Sequence, residues 1–216
     1  RGVANGMPNP QQDDYKAMSS PNVQEKSTDS PLRWMMASEV AFLRAEGAMR
    51  GWTAEMGGTA EEFYNKGIEL SFLENGLSAD AAARYAADET SKPTDFTDVS
   101  AANTKYNISA LGKITIKWNA GASEEEQLER IITQKWIAMF PNGTEAWSEF
   151  RRTGYPRLFP VRYNYPSSGV DTNKQIRRMV FPQSEYSNNG AAVQEAVKLL
   201  GGPDNGGTKL WWDKKN

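Results

Sequence analysis

Apolar residues recur at helical spacing in several blocks after Pro31 and almost nowhere before it. Residues 1–30 are polar, carry three Pro and show no apolar period, so they read as an irregular lead-in to a helical region over 31–216. Between about 37 and 50, Val40, Leu43, Gly47 and Ala48 repeat at helical intervals. They predict a helix with Ser38 near its start and Gly51 as its stop. The small-sided run Ala45 to Ala48 would let a neighbouring helix come close. A second helix, about 60–75, opens on a capping box, in which Thr59 caps and Glu62 reaches back. Phe63, Gly67, Ile68 and Phe72 form its expected inner stripe, and Asn75-Gly76 ends it. A third, Ala-rich helix over about 79–88 follows Ser78, with Asp80 where the helix dipole favours an acid.

Residues 90–122 form the longest irregular stretch. Within it, Lys113 to Trp118 alternates polar and apolar, which predicts a short strand or extended segment. Ser123 then opens the strongest helix, with Glu126 placed for a second capping box. Leu128, Ile131, Ile132, Trp136 and Met139 mark its buried face before Pro141. A short helix over about 144–152 runs from acids to bases, as its dipole prefers. After it come the aromatic, Pro-punctuated segment Tyr155 to Pro166, a last helix near 190–200 stopped by Gly201-Gly202-Pro203, and a tail holding Trp211-Trp212-Asp213. Helix pairs joined by short turns point to helical-hairpin stacking of the tetratricopeptide kind, although no clean period of about 34 residues is present. The fold class is therefore all-α, with tetratricopeptide-like helix pairs, long irregular loops and at most a short β segment.

Composition removes whole classes of chemistry. The 216 residues include neither His nor Cys. A Ser-His-Asp triad, a Cys-His pair, a structural zinc site and any disulfide are thus excluded. Nothing in the sequence calls for a cofactor or a metal, and a cation, if bound, would need oxygen ligands. Net charge is −2, so no global field attracts nucleic acid. Aromatics reach 11% at a mean hydropathy of −0.68, a pairing that suits a wet surface around an aromatic-anchored core or an aromatic binding face. No run approaches the ~18 apolar residues of a membrane-spanning helix.

Particular strings carry more than periodicity. Trp34 to Gly47, Phe63 to Phe72, Ile131 to Phe140 continued through Glu145 to Pro156, Arg177 to Glu185, and Leu210 to Asp213 resemble, in order, the motifs of SusD-like (SusD/RagB) proteins. The likeness runs from about residue 30 to the end. It implies a mainly helical, non-catalytic lipoprotein at the bacterial outer-membrane surface of Bacteroidetes. It also implies that the protein binds oligosaccharide or another nutrient and caps a SusC-like TonB-dependent transporter. Such proteins are longer than this chain and begin with a lipid-bearing Cys. The resemblance therefore implies a C-terminal portion, attached to the membrane only through an N-terminal lipid that the chain does not carry.

The candidate ligand surface is the segment Tyr155 to Tyr165. Sugar C–H faces pack on aromatic rings, and Arg or Asn hydrogen-bonds the hydroxyls. Tyr163 and Tyr165, interleaved with Arg162 and Asn164, supply both kinds of group on a loop. Tyr155 and Phe159, each beside a Pro, read instead as anchors of the loop. Trp52, between a helix stop and Gly57-Gly58, is either an exposed stacking platform or a closing contact on the helix end. Trp118, Trp136 and Trp147 read as core, and Trp211-Trp212 as docking the tail. The adjacent acids Asp13-Asp14, Glu61-Glu62 and Glu124 to Glu126 lie at helix starts or in the lead-in, where capping explains them better than a glycosidase pair. The sequons Asn107-Ile-Ser109 and Asn142-Gly-Thr144 are accidental matches in a bacterial protein, and Asn142-Gly143 reads as a turn before a helix. Arg151-Arg152 and Arg177-Arg178 are explained by ion pairing. Two alternatives to glycan binding stand beside it: a helical scaffold that mainly contacts the transporter, and a glycan-active hydrolase.

Overall fold

The computed structural model describes residues 4–6, 16, 18–19, 33–165 and 168–215, so the lead-in, with Asp13 and Asp14, lies largely outside the described residues. The chain divides into two compact units, one of residues 22–94 and 111–157, the other of 1–21, 95–110 and 158–216.

The first unit is a stack of helices: α1 (Ala37–Met49), α2 (Thr53–Met56), α3 (Ala60–Glu74), α4 (Ala79–Ala86), α5 (Glu124–Ala138) and α6 (Gly143–Thr153). Local signals set their ends. Thr59 and Glu62 close a reciprocal capping box on α3, and Ser78 caps α4 through the Ala81 N–H. Asn142 caps α6, and Gly51 and Gly76 take the left-handed conformation that ends α1 and α3. On α5 only half of the expected box forms. Ser123 accepts from the Glu126 N–H (3.3 Å), while the Glu126 carboxylate stands 3.9 Å from Arg130.

Packing chose different faces from those the periodicity picked. On α1, Gly47 and Ala48 of the periodic set are buried, but Val40 and Leu43 are exposed, and Ala41, Phe42 and Ala45 are buried in their place. The reason is a slot on α3: a Cβ at Gly67 would sit 2.7 Å from the Phe42 ring, so only glycine lets that ring in. Tyr64 of α3 is fully buried beside Ile68, while Phe63 and Phe72 are half-buried at the margin. Tyr64 reaches the Ile116 carbonyl (2.5 Å) and lies 5.1 Å from the Trp118 ring, and burial pushes its phenol up.

On α5, Leu128, Ile131, Ile132 and Met139 are buried as expected, but Trp136 is 38% exposed. Lys135 takes the interior position. Its ammonium meets Glu149 at 2.8 Å, Glu145 at 3.4 Å and Glu39 at 3.7 Å, so carboxylates from α1 and α6 hold a charge where an indole was expected. Trp147 is also only half-buried, with the Arg151 guanidinium 3.7 Å over its ring. Trp118 is core, as predicted. The segment Lys113–Trp118 forms no strand among the described residues, and it bends at Ile116 and Lys117.

The second unit is mostly irregular. It holds a 3-10 helix (Ala101–Tyr106) and α7 (Gln183–Leu199), and among the described residues its only β pairing is the isolated bridge between Phe96 and Ile108. Helix α7 begins well before residue 190 because its two halves meet at Asn189 (φ −142°), and the apolar period marks only the second half. The tail is clasped by charge. Arg177 and Asp213, 5% and 1% exposed, form a bidentate pair, while Trp211 is exposed and Trp212 half-buried. Asp204 holds Arg178 and Tyr186. The paired arginines are therefore consumed internally: Arg152 bonds Glu46 (2.7 Å) and Glu149 (2.5 Å), and Arg177 and Arg178 bond the two aspartates. The described residues are thus mainly helical with long irregular loops, as the sequence pattern predicts.

Candidate functional site

The segment from Tyr155 to Tyr165 crosses from one unit to the other at residue 157, and its residues divide accordingly. In the helical unit, Tyr155 is buried and donates its hydroxyl to Glu125 (2.9 Å). Burial and that carboxylate push its phenol up to about 12. Arg157 is tied to Glu129 at 3.0 Å. Tyr155 anchors the loop as expected, while Arg157 is exposed with its Nε committed to Glu129. Glu125 is thereby explained as a hydrogen-bond acceptor, and Glu62 as a cap whose carboxyl the Thr59 N–H and hydroxyl hold low.

In the irregular unit the picture changes at Tyr163. Tyr163 and Tyr165 are exposed, at 47% and 67%, with ring centroids 5.5 Å apart and planes at 80°. Edge-to-face packing keeps both rings standing without burying them. A corner of this shape offers one ring face as a floor and the other ring as a wall. The backbone beneath is pinned on both sides. The Arg162 N–H donates to the Asn5 carbonyl (2.9 Å) and the Val161 N–H to the Thr172 carbonyl (2.9 Å). The Ser168 N–H closes onto the Tyr165 carbonyl (2.9 Å). Gly6 lies so close along this backbone that a Cβ would stand 2.6 Å from Val161 and 2.8 Å from the Tyr163 carbonyl oxygen. Asn164 spends its Nδ2 on the Val170 carbonyl (3.1 Å), and Arg162 donates one Nη to the Lys105 carbonyl. Arg162 is exposed, and a guanidinium carries further N–H groups beyond the one given to Lys105. The four loop residues singled out from sequence are therefore together.

Trp52 belongs to the helical unit. It is 57% exposed at the start of α2 and borders a groove of about 560 Å³ floored by Val40, Leu43 and Met56. The indole is therefore exposed and lines that groove.

One feature of the irregular unit left no sequence signal. A cleft of about 210 Å³ is lined by Phe96, Ile108, Leu158 and Phe159 together with Asn5 and Gln175. Gln175 takes φ +56°, the only non-glycine positive φ among the described residues. The turn that sets it is closed by the Asn173 and Lys174 N–H groups donating to the Asp171 carboxylate (2.8 and 3.0 Å) and by the Gln175 N–H donating to the Asp171 carbonyl (2.8 Å). Among the described residues no group of three acids is arranged to hold a metal, and no helix is long and apolar enough to cross a membrane.

One unit is thus built of helical hairpins, and the other is mostly irregular and bears exposed aromatics. The family model for SusD-like proteins, described as Susd and RagB outer membrane lipoprotein, matches residues 1–213, and the chain belongs to that family. Among solved structures it is similar to a chitin-binding SusD homolog from Flavobacterium johnsoniae, with 49% identity over 85% of this chain and 37% of that one, at a TM-score of 0.78. A SusD-like protein from Bacteroides thetaiotaomicron is 47% identical over 87% of this chain and 38% of that one, at a TM-score of 0.78. A SusD homolog from Bacteroides vulgatus is 41% identical over 87% and 36%, at 0.79. The chain thus spans well under half the length of these relatives. No curated protein matches it.

Proposed function

We propose that this chain carries a glycan-binding surface of a SusD-like outer-membrane lipoprotein, which presents oligosaccharide to a SusC-like TonB-dependent transporter without a chemical step. The observation that carries the reading is the exposed right-angled pair of Tyr163 and Tyr165, with Arg162 and Asn164 on the same loop. Stacking on one ring supplies apolar contact to a sugar face, and the guanidinium supplies directional donors to hydroxyls. The chitin-binding relative makes N-acetylglucosamine oligomers the first ligands to try. Isothermal titration of the chain against tetramers of N-acetylglucosamine, glucosamine and glucose tests it. Tyr165→Ala weakens binding by about tenfold, the loss expected for one stacking contact of ~1.4 kcal/mol. The reading fails if no oligosaccharide binds, or if Tyr165→Ala binds as the parent does.

A second reading has its own observation. Trp34, Met35 and Phe140 are 87%, 57% and 73% exposed around a recess of about 440 Å³ in the helical unit. An apolar patch of that kind suits a protein partner, which favours a contact with the transporter. Co-purification with a SusC-like transporter, lost in a Trp34→Ser/Phe140→Ser variant that keeps its glycan affinity, would support that role.

A further inference from the structure

We propose that the cleft between Phe96, Ile108, Leu158 and Phe159 receives the acylamino substituent of an N-acylated sugar, and so selects acetylated over free amino sugars. The inference rests on the glycan-binding reading above and adds a second subsite to it. Size is the first argument: about 210 Å³ is below the ~300–1,000 Å³ of pockets that swallow whole drug-sized ligands, so the cleft suits one substituent of a larger molecule.

Chemistry is the second. The walls are apolar and rigid. Phe96 and Phe159 meet edge to face at 6.2 Å, and Phe96 and Ile108 exchange backbone hydrogen bonds of 2.9 and 3.0 Å. Among the described residues, those lining the cleft include two carboxamides, Asn5 and Gln175, and no charged side chain. An acetamido group needs an apolar contact for its methyl, an acceptor for its N–H and a donor for its carbonyl. A carboxamide offers both donor and acceptor. A free ammonium or a carboxylate entering the same cleft would be desolvated without a counter-charge.

The third argument is that Gln175 is held there at a cost. A left-handed backbone at a residue other than Gly, Asn or Asp is unfavourable and persists where the surroundings impose it. Here the Gln175 N–H is tied to the Asp171 carbonyl (2.8 Å) and its Nε2 to the Phe159 carbonyl (3.3 Å). Among the described residues its Oε1 accepts no hydrogen bond, which leaves that oxygen as the acceptor. The cleft also adjoins the tyrosine corner. Asn5 lines the cleft and accepts the Arg162 N–H, and Gly6 runs along the Tyr163 backbone.

The test compares the three tetramers on the full chain and on two variants. Gln175→Gly removes the carboxamide while suiting the positive φ, and Gln175→Glu keeps the shape but adds charge. The parent is expected to prefer the N-acetylated tetramer over its deacetylated counterpart by about tenfold or more, the worth of one satisfied polar contact plus a buried methyl. Gln175→Gly should collapse that ratio toward one, and Gln175→Glu should shift it toward the free amine. Tyr165→Ala should weaken all tetramers alike and keep the ratio. Equal binding of acetylated and deacetylated tetramers by the parent overturns the inference while leaving glycan binding intact. A ratio unchanged in both Gln175 variants also overturns it, and binding of no tetramer removes both readings.

Discussion

Replacing Asp213 by Ala tests whether the C-terminal tail is held by charge or by its tryptophans. In the parent, the Arg177 Nε and Nη2 donate to the two Asp213 oxygens at 2.7 and 2.6 Å, with both side chains buried. The guanidinium also donates through Nη1 to the Lys174 carbonyl, at 3.3 Å. Removing the carboxylate takes away the bidentate ion pair of a buried cation, and losses of that kind run to about 3–5 kcal/mol. Trp211 is 83% exposed, so Trp211→Ala should stay within about 0.5 kcal/mol of the parent. A double variant, Arg177→Met/Asp213→Leu, removes both charges and keeps the volume apolar. It should recover most of the loss, because a well-packed apolar pair is often as stable as a buried ion pair. Urea denaturation followed by circular dichroism measures all three, and hydrogen exchange of the amides from 204 to 213 reports the tail itself. The reasoning is refuted if Asp213→Ala costs under about 1 kcal/mol, or if Trp211→Ala costs as much as Asp213→Ala.

Three further outcomes follow from the helical unit. Lys135→Met strands Glu39 and Glu149 at an interior site and should destabilise by about 3 kcal/mol in urea, with Glu149 kept from the full penalty by Arg152. Gly67→Ala forces a methyl onto the Phe42 ring and should cost about 1–3 kcal/mol by the same assay, whereas Gly190→Ala in α7 of the other unit, with open space around it, should be neutral or stabilising by about 0.5 kcal/mol. Burial opposes ionisation of Glu46, but hydrogen bonds and charge from Arg152 and Arg50 outweigh it and hold the carboxyl below its ordinary range. Its contribution is therefore present above the unfolded-state value near ~4.3 and lost as pH falls through the lower folded value. Melting curves between neutral and acid pH should show that loss, and Glu46→Gln should flatten it.

What the sequence determined was local and ordered along the chain. Helix ends were legible because their signals sit within a turn of the end they fix: Thr59 with Glu62, Ser78, Asn142, and the glycines at 51 and 76. Mainly helical class followed from apolar spacing, and family membership from several motifs in the right order. Arg162, Tyr163, Asn164 and Tyr165 could be singled out because aromatics interleaved with donors are a local pattern as well.

Tertiary structure decided which face of each helix is buried, since that depends on the partner. The Gly67 slot turned Phe42 inward and left Val40 and Leu43 outside, and three carboxylates from α1 and α6 drew Lys135 inside and Trp136 out. It also decided that the tail is fixed by Arg177 and Asp213, 36 residues apart in sequence. Only the fold brings Asn5, Phe96, Phe159 and Gln175 around one cleft. Residues that distant share no period and no motif. What places them together is the free energy of packing the whole unit, which no local pattern encodes.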